Sequence, residues 1–341
     1  MVGDRFVGFN TGRGERARRS PTVSEMHVLV ASGEALVRFR DGVVSTLLER
    51  PGLQCVALDP RRPEHVVAGS RGGGVWESDD GGETWHDAEL PAADVFSVAV
   101  SAADGAVYAG CEPSALWVRR DGDGWHELSA LRELPSAPTW SFPPRPWTSH
   151  IRWVAPSPHD AALLLAGIEL GGLMRSTDGG ETWADHRPGA QRDVHQLAWH
   201  PREPGHAYEA AGGGAARSRD GGDSWEPADD GRELHYAWAL AVDPADPEQW
   251  FVSAARGPFE AHGNRAAGAA LYRRRGDAPW EELDLGLGRP LATMPYGLAF
   301  SGSTLVCALR DGRLLASDDW GDSWRPLAAD GIPHVVALAA A

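Results

Sequence analysis

From residue 28 onward the chain runs in short apolar stretches of four to six residues, each stopped by Gly, Pro, Asp or Ser. Runs at 55–58 and 65–68 flank Asp59-Pro60, and a third at 74–77 follows Gly72-Gly73-Gly74. The same order returns at 196–199, His200-Pro201, 207–210 and 215–218, and again at 239–242, Asp243-Pro244 and 250–253. Short alternating runs bounded by turn residues predict β-strands, and their recurrence predicts an all-β repeat. The glycine triplets 72–74 and 212–214 have no helix after them, so they read as tight turns rather than phosphate-binding loops.

Each set of runs ends on a shared motif. Four segments have the form Ser-x-Asp-x-Gly-x-x-Trp: Ser78-Asp80-Gly82-Trp85, Ser176-Asp178-Gly180-Trp183, Ser218-Asp220-Gly222-Trp225 and Ser317-Asp319-Gly321-Trp324. Degraded copies end at Trp125 and Trp280. Successive tryptophans are 40, 58, 42, 55 and 44 residues apart. A unit of roughly 42 residues is the size of a four-stranded propeller blade, so two units carry insertions. In such a turn the Asp accepts backbone N–H groups, the Gly supplies a φ that other residues resist, and the Trp packs between units. These residues are expected to be structural.

The motif resembles the Asp-box (BNR) repeat of sialidases, sortilin-type propellers, family 74 xyloglucanases and photosystem II assembly factors, over nearly the whole chain. The resemblance implies a β-propeller of four-stranded antiparallel blades, each box being the hairpin between third and fourth strands. Six boxes give six blades. The three runs within 27–49 (28–31, 35–40 and 44–48, with a turn at Asp41-Gly42), together with 334–339, supply a seventh. The expectation is one seven-bladed propeller over residues 26–341, its ring closed by the N- and C-terminal strands, which removes exposed edges. Residues 1–25, with Arg5, Arg13, Arg16, Arg18 and Arg19, read as a flexible tail rather than an export signal.

Strand order puts the boxes and the Asp-Pro turns on one face. Both insertions then fall on the other: residues 129–149, with Trp140, Phe142 and Trp147, and residues 254–270, with Arg256, Phe259, Glu260, His262 and Arg265. Long loops on a rigid scaffold commonly carry function. Aligning the first strands places Gln54, Phe96, Arg152, His195, Trp238, Tyr296 and His334 at the mouth of the central channel on that face. Asp94, His150, Asp193 and Tyr236 come two residues earlier, with His235 adjacent, and the following loops add Arg71, Glu112, Glu169 and Arg310. A polar and aromatic ring, in a chain with 13 His and 5 Tyr, predicts a ligand pocket.

Composition narrows the ligand. The net charge of −16 argues against nucleic acid or an anionic membrane surface, and no apolar run reaches the length of a membrane span. All 32 basic residues are Arg. Cys55, Cys111 and Cys307 are too few and too scattered for a disulfide framework, which suits a reducing, cytoplasmic compartment. The expected ligand is a small molecule or a carbohydrate, with Arg71 and Arg152 for anionic or carbonyl groups and Phe96, Tyr236, Trp238 and Tyr296 for stacking.

Three kinds of function remain open. A glycosidase-like hydrolase needs two carboxyl groups, with Glu169 the leading candidate and Glu112, Asp94, Asp193 or Glu260 as its partner; His150 and His195 are further acid–base candidates. Arg71, Arg152 and Arg310 could imitate a sialidase trio, but no Arg-Ile-Pro precedes the first blade, so a typical sialidase is not expected. A metal-dependent lyase or lactonase would use a divalent ion held by some of His150, His195, His235 and His334, with Glu169. A non-enzymatic protein-assembly platform needs none of these groups.

Overall fold

The computed structural model describes residues 26–40, 42–143, 148–327 and 331–340. The Arg-rich segment 1–25, Asp41 and Trp147 lie outside them. Within the described residues the strands are all antiparallel, and the helices are short: 3-10 turns at Ser129–Glu133 and Ala137–Thr139 in the first insertion and one α-helix, Pro258–His262, in the second. No helix among the described residues is long and apolar enough to cross a membrane.

Four sheets have four strands in sequence order, beginning with Val95–Val100, Val194–Trp199, Tyr236–Val242 and Pro295–Ser301. A fifth, beginning with Ile151–Pro156, has three strands, and an isolated bridge between Arg175 and Ala184 stands where its fourth would be. The sixth holds seven strands because Val43–Asp59 serves two groups. Its first half pairs with Gly33–Arg40 and its second with Arg62–Ser70, and Leu53 faces Gly33 on one side and Ser70 on the other. The two sequence runs 44–48 and 55–58 are therefore one continuous strand through Pro51-Gly52. The last strand, Ala337–Ala340, pairs with the first, His27–Ala31, and begins three residues later than the apolar run at 334 suggested.

Second strands such as Val107–Cys111, Leu164–Ile168 and Thr304–Leu309 are buried along their whole length. Neighbouring sheets cover both of their faces, so the sequence there reads as continuous apolar and small residues. Mixed clusters fill the gaps; Tyr208, Leu240, Trp250 and Trp280 form one of them. The innermost strands touch in a circuit. Val43–Asp59 meets Val95–Val100, then come Ile151–Pro156, Val194–Trp199, Tyr236–Val242, Pro295–Ser301 and Ala337–Ala340, which returns to Val43–Asp59.

The Ser-x-Asp-x-Gly-x-x-Trp turns share one geometry. In the first, Ser78 Oγ donates to Asp80 Oδ1 at 2.8 Å and accepts Gly82 N–H at 2.8 Å. Asp80 also accepts Thr84 N–H at 2.9 Å, and Trp85 donates to Gly82 O at 3.0 Å. Gly82, Gly180, Gly222 and Gly321 all have positive φ, and a Cβ on any of them would press into a leucine, namely Leu47, Leu128, Leu165 and Leu283. Both facts require glycine.

Candidate functional site

Six innermost strands carry a β-bulge, near the start in five and at the beginning of the second half in Val43–Asp59. The register shifts fall between Leu53 and Cys55, Val95 and Ser97, Ile151 and Trp153, Val194 and Gln196, Ala237 and Leu240, and Pro295 and Gly297. The residues skipped include Gln54, Phe96, Arg152, His195, Trp238 and Tyr296. A bulge adds an unpaired residue and re-aims its side chain, and all six line a channel of about 330 Å³ enclosed by the circuit. Side chains from adjoining sheets satisfy backbone groups along this ring. Ser97 Oγ donates to Ile151 O at 3.0 Å, and His195 Nδ1 donates to Ala237 O at 2.6 Å. Gln196 bonds both the N–H and the carbonyl of Leu240.

The loops after the second strands are placed with the same regularity. Arg71, Glu112, Glu169, Gly212 and Arg310 each donate a backbone N–H to the carbonyl two residues before a bulge, on Gly52, Asp94, His150, Asp193 and Met294 respectively. This register carries Arg71, His150, Glu169, Asp193 and Tyr236 to the channel mouth. There they join Gln54, Phe96, Arg152 and Trp238 around a cavity of about 620 Å³. Both insertions reach it, one through Phe142 and Pro143, the other through Pro258, Phe259, His262 and Gly263.

A polar chain crosses the cavity. His150 Nε2 lies 2.6 Å from Glu169 Oε2, and Arg152 Nε is 3.7 Å from the same oxygen. His150 Nδ1 is 3.6 Å from Glu112 Oε2, and His195 Nε2 is 3.6 Å from Asp193 Oδ2. Burial would raise the Glu169 carboxyl, but the hydrogen bond from His150 and the Arg152 charge hold it down at about 2, so it is ionised. Glu169 is followed by Leu170, whose φ of 57° is in the left-handed region and whose side chain is 41% exposed on the cavity rim. Backbone held there against preference is typical of functional loops.

Aromatic faces form the walls. Phe96 stacks on His150 at 3.9 Å between ring centroids, with Phe142 edge-on at 5.0 Å. The Arg71 guanidinium lies 5.1 Å from the Phe96 ring centre and that of Arg152 lies 4.7 Å from Trp238. His195 sits against both Tyr236 and Trp238.

Three sequence candidates lie elsewhere. His235 is exposed and lines neither channel nor mouth. Tyr296 lines the channel below the mouth. His334 faces a side cavity with Arg310 and Glu260, and Val336 takes the place along the channel that the alignment gave to His334. Arg310 donates to Gly263 O and lies over Tyr296, so the Arg71, Arg152 and Arg310 trio does not converge. Of the carboxylates weighed as partners of Glu169, Asp193 comes within 4.8 Å of it.

Sequence reasoning left His262 among the insertion residues without a role. Its two ring nitrogens contact the Tyr236 hydroxyl at 2.9 Å and the Tyr296 hydroxyl at 2.6 Å, fastening the short helix over the cavity. Burial, with His195 and Arg152 nearby, lowers its pKa to about 4. The available signal was a lone His closing a Pro-initiated helix inside a loop.

Similarity to solved structures fits this geometry. The chain aligns with the GH74 xyloglucanase from Xanthomonas campestris at 19% identity and a TM-score of 0.63, over 89% of this chain and 47% of that one. It aligns with a GH74 enzyme from Niastella koreensis at 17% identity and 0.65, over 88% and 52%. YCF48 bound to D1 peptide matches at 17% and 0.59, over 91% and 86%. The fold is a β-propeller. The propeller spans about half the length of these GH74 chains. No family model and no curated protein matches it.

Proposed function

We propose that this protein is a seven-bladed Asp-box propeller whose insertion-side mouth binds a small polyhydroxylated ligand of the glycan class. The circuit of seven innermost strands supports the blade count, and the repeated Ser/Asp/Gly/Trp turns support the repeat type. The observation that carries the functional reading is the meeting of aromatic walls with charged hydrogen-bonding groups in one concave mouth. Sugars present apolar C–H faces and a rim of hydroxyls, which Phe142 and Trp238 can stack against while Arg71, Arg152, Asp193 and Glu169 bond the rim. The GH74 neighbours favour this ligand class.

A panel of neutral gluco-oligosaccharides, xylogluco-oligosaccharides and uronic acids tests it by thermal shift. One member at a hundredfold excess over its Kd should stabilise the protein by about 2.7 kcal/mol, and Arg152→Ala should abolish the effect. A panel without effect, or a shift that survives both Arg152→Ala and Trp238→Ala, would overturn the assignment.

Phe259, 89% exposed, and Leu170 stand on the rim, and they favour a second reading in which the same mouth docks a peptide; one structural neighbour is YCF48 bound to D1 peptide. Retention of a partner protein that Phe259→Ser abolishes, with no small-molecule shift, would select that reading.

A further inference from the structure

Where the channel opens into the mouth, Glu169, Asp193 and His195 bring a ligating atom each to within 4.8 Å of one another. His195 is 1% exposed. Its Nδ1 lies 2.6 Å from a carbonyl oxygen, which can only accept, so Nδ1 carries the proton. In the neutral ring Nε2 is then a bare lone pair, and this buried atom has no hydrogen-bond partner. It faces Asp193 Oδ2 at 3.6 Å. A lone pair directed at carboxylate oxygens needs a cation between them, either a proton or a metal ion.

Distance discriminates between the two. A shared proton would draw N and O to about 2.8 Å, and 3.6 Å is too long for a hydrogen bond. Two ligands on one tetrahedral ion, with N and O each about 2.0–2.2 Å from it, stand about 3.4 Å apart. Arg152 does not supply the missing charge, since it approaches Glu169 and lies over Trp238. The surroundings are those of a built site. The imidazole is oriented by the Ala237 carbonyl and Glu169 is steadied by His150, the kind of support that ligating groups require. Gly212 leaves the room that Asp193 occupies, because a Cβ there would come within 1.9 Å of its Oδ2.

We propose that Glu169, Asp193 and His195 bind one divalent transition-metal ion, of the zinc or manganese class. One nitrogen and two oxygens suit these ions, and the adjoining cavity leaves coordination positions for the oxygens of a bound ligand. This rests on the mouth as the ligand site and deepens it: the ion would take hydroxyl or carboxylate oxygens of the sugar. His235 and His334 have no part in it.

The test uses full-length, tag-free protein stripped with chelator and titrated with Zn²⁺ alone, then Mn²⁺ alone, by calorimetry, with bound metal measured after dialysis. One ion per chain is expected. Asp193→Asn and His195→Ala should lose it, Gly212→Ala should weaken it by about 10- to 100-fold, and His235→Ala and His334→Ala should leave it unchanged. Circular dichroism of each variant separates lost binding from lost folding, and Asp193→Asn preserves shape. Absence of stoichiometric binding, or binding indifferent to Asp193→Asn, overturns the proposal. So does a protonated His195 Nε2 in the metal-treated protein by ¹⁵N NMR. The titration contains no sugar, so its failure leaves the glycan result standing, and a panel without effect leaves the ion result standing.

Discussion

Glu209 shows what a single buried group does to this protein. It lies in Ala207–Ala211, a strand buried throughout, and accepts Gln191 N–H at 3.0 Å on one oxygen while the other has no partner. Burial pushes its carboxyl up to about 8. Between the unfolded value of about 4.3 and that figure, the folded chain holds a proton that the unfolded chain releases, so stability falls as pH rises across the window, by up to about 1.4 kcal/mol per pH unit. Melting temperature followed across that window should therefore decline, and Glu209→Gln should flatten the slope. An unchanged slope in the variant would show that groups other than Glu209 set it. Nothing in the sequence marks Glu209, because its solvation depends on sheets packed from other parts of the chain.

At the level of elements, the bulges explain how much of the site was legible. Aligning first strands on their shared turn brings Arg152, His195 and Trp238 to equivalent positions, because each bulge sits at the same distance from that turn. It failed at His334, where the strand is short and begins only at Ala337. Glu169 and Arg71 were legible for the same reason, since they follow second strands that end in register. The fastening of the second insertion was not, because Tyr236, Tyr296 and His262 come from three separate segments. Tyr296→Phe removes one of its hydrogen bonds. Backbone amides at 257–263 should then exchange faster with deuterium, while those of Gln249–Ala255 keep their protection. Equal exchange in both proteins would mean that Arg310 and the packing of Ala261 hold the helix without the tyrosine.

For the whole molecule, the repeat was readable from sequence because each motif needs a specific Asp, Gly and Trp, whereas the pairing of first and last strands joins segments more than 300 residues apart. Ala337–Ala340 covers the edge of His27–Ala31, whose four C-terminal residues are buried. Deleting 337–341 would bare an apolar edge, and the truncated protein should melt lower and self-associate in size-exclusion chromatography with light scattering. A monomer of unchanged melting temperature would show that this pairing contributes little. A second cavity lies near the turns at His200-Pro201 and Asp243-Pro244, lined by Trp199, Pro244, Phe300 and Trp320, while the insertion-side mouth joins aromatic walls to Arg71, Arg152, Glu169 and Asp193. Calorimetry with the panel member that gives the largest thermal shift decides between them most directly. Trp238→Ala should weaken binding by about tenfold or more and Trp320→Ala should leave it unchanged; the reverse pattern would place the ligand in the other cavity and contradict the account.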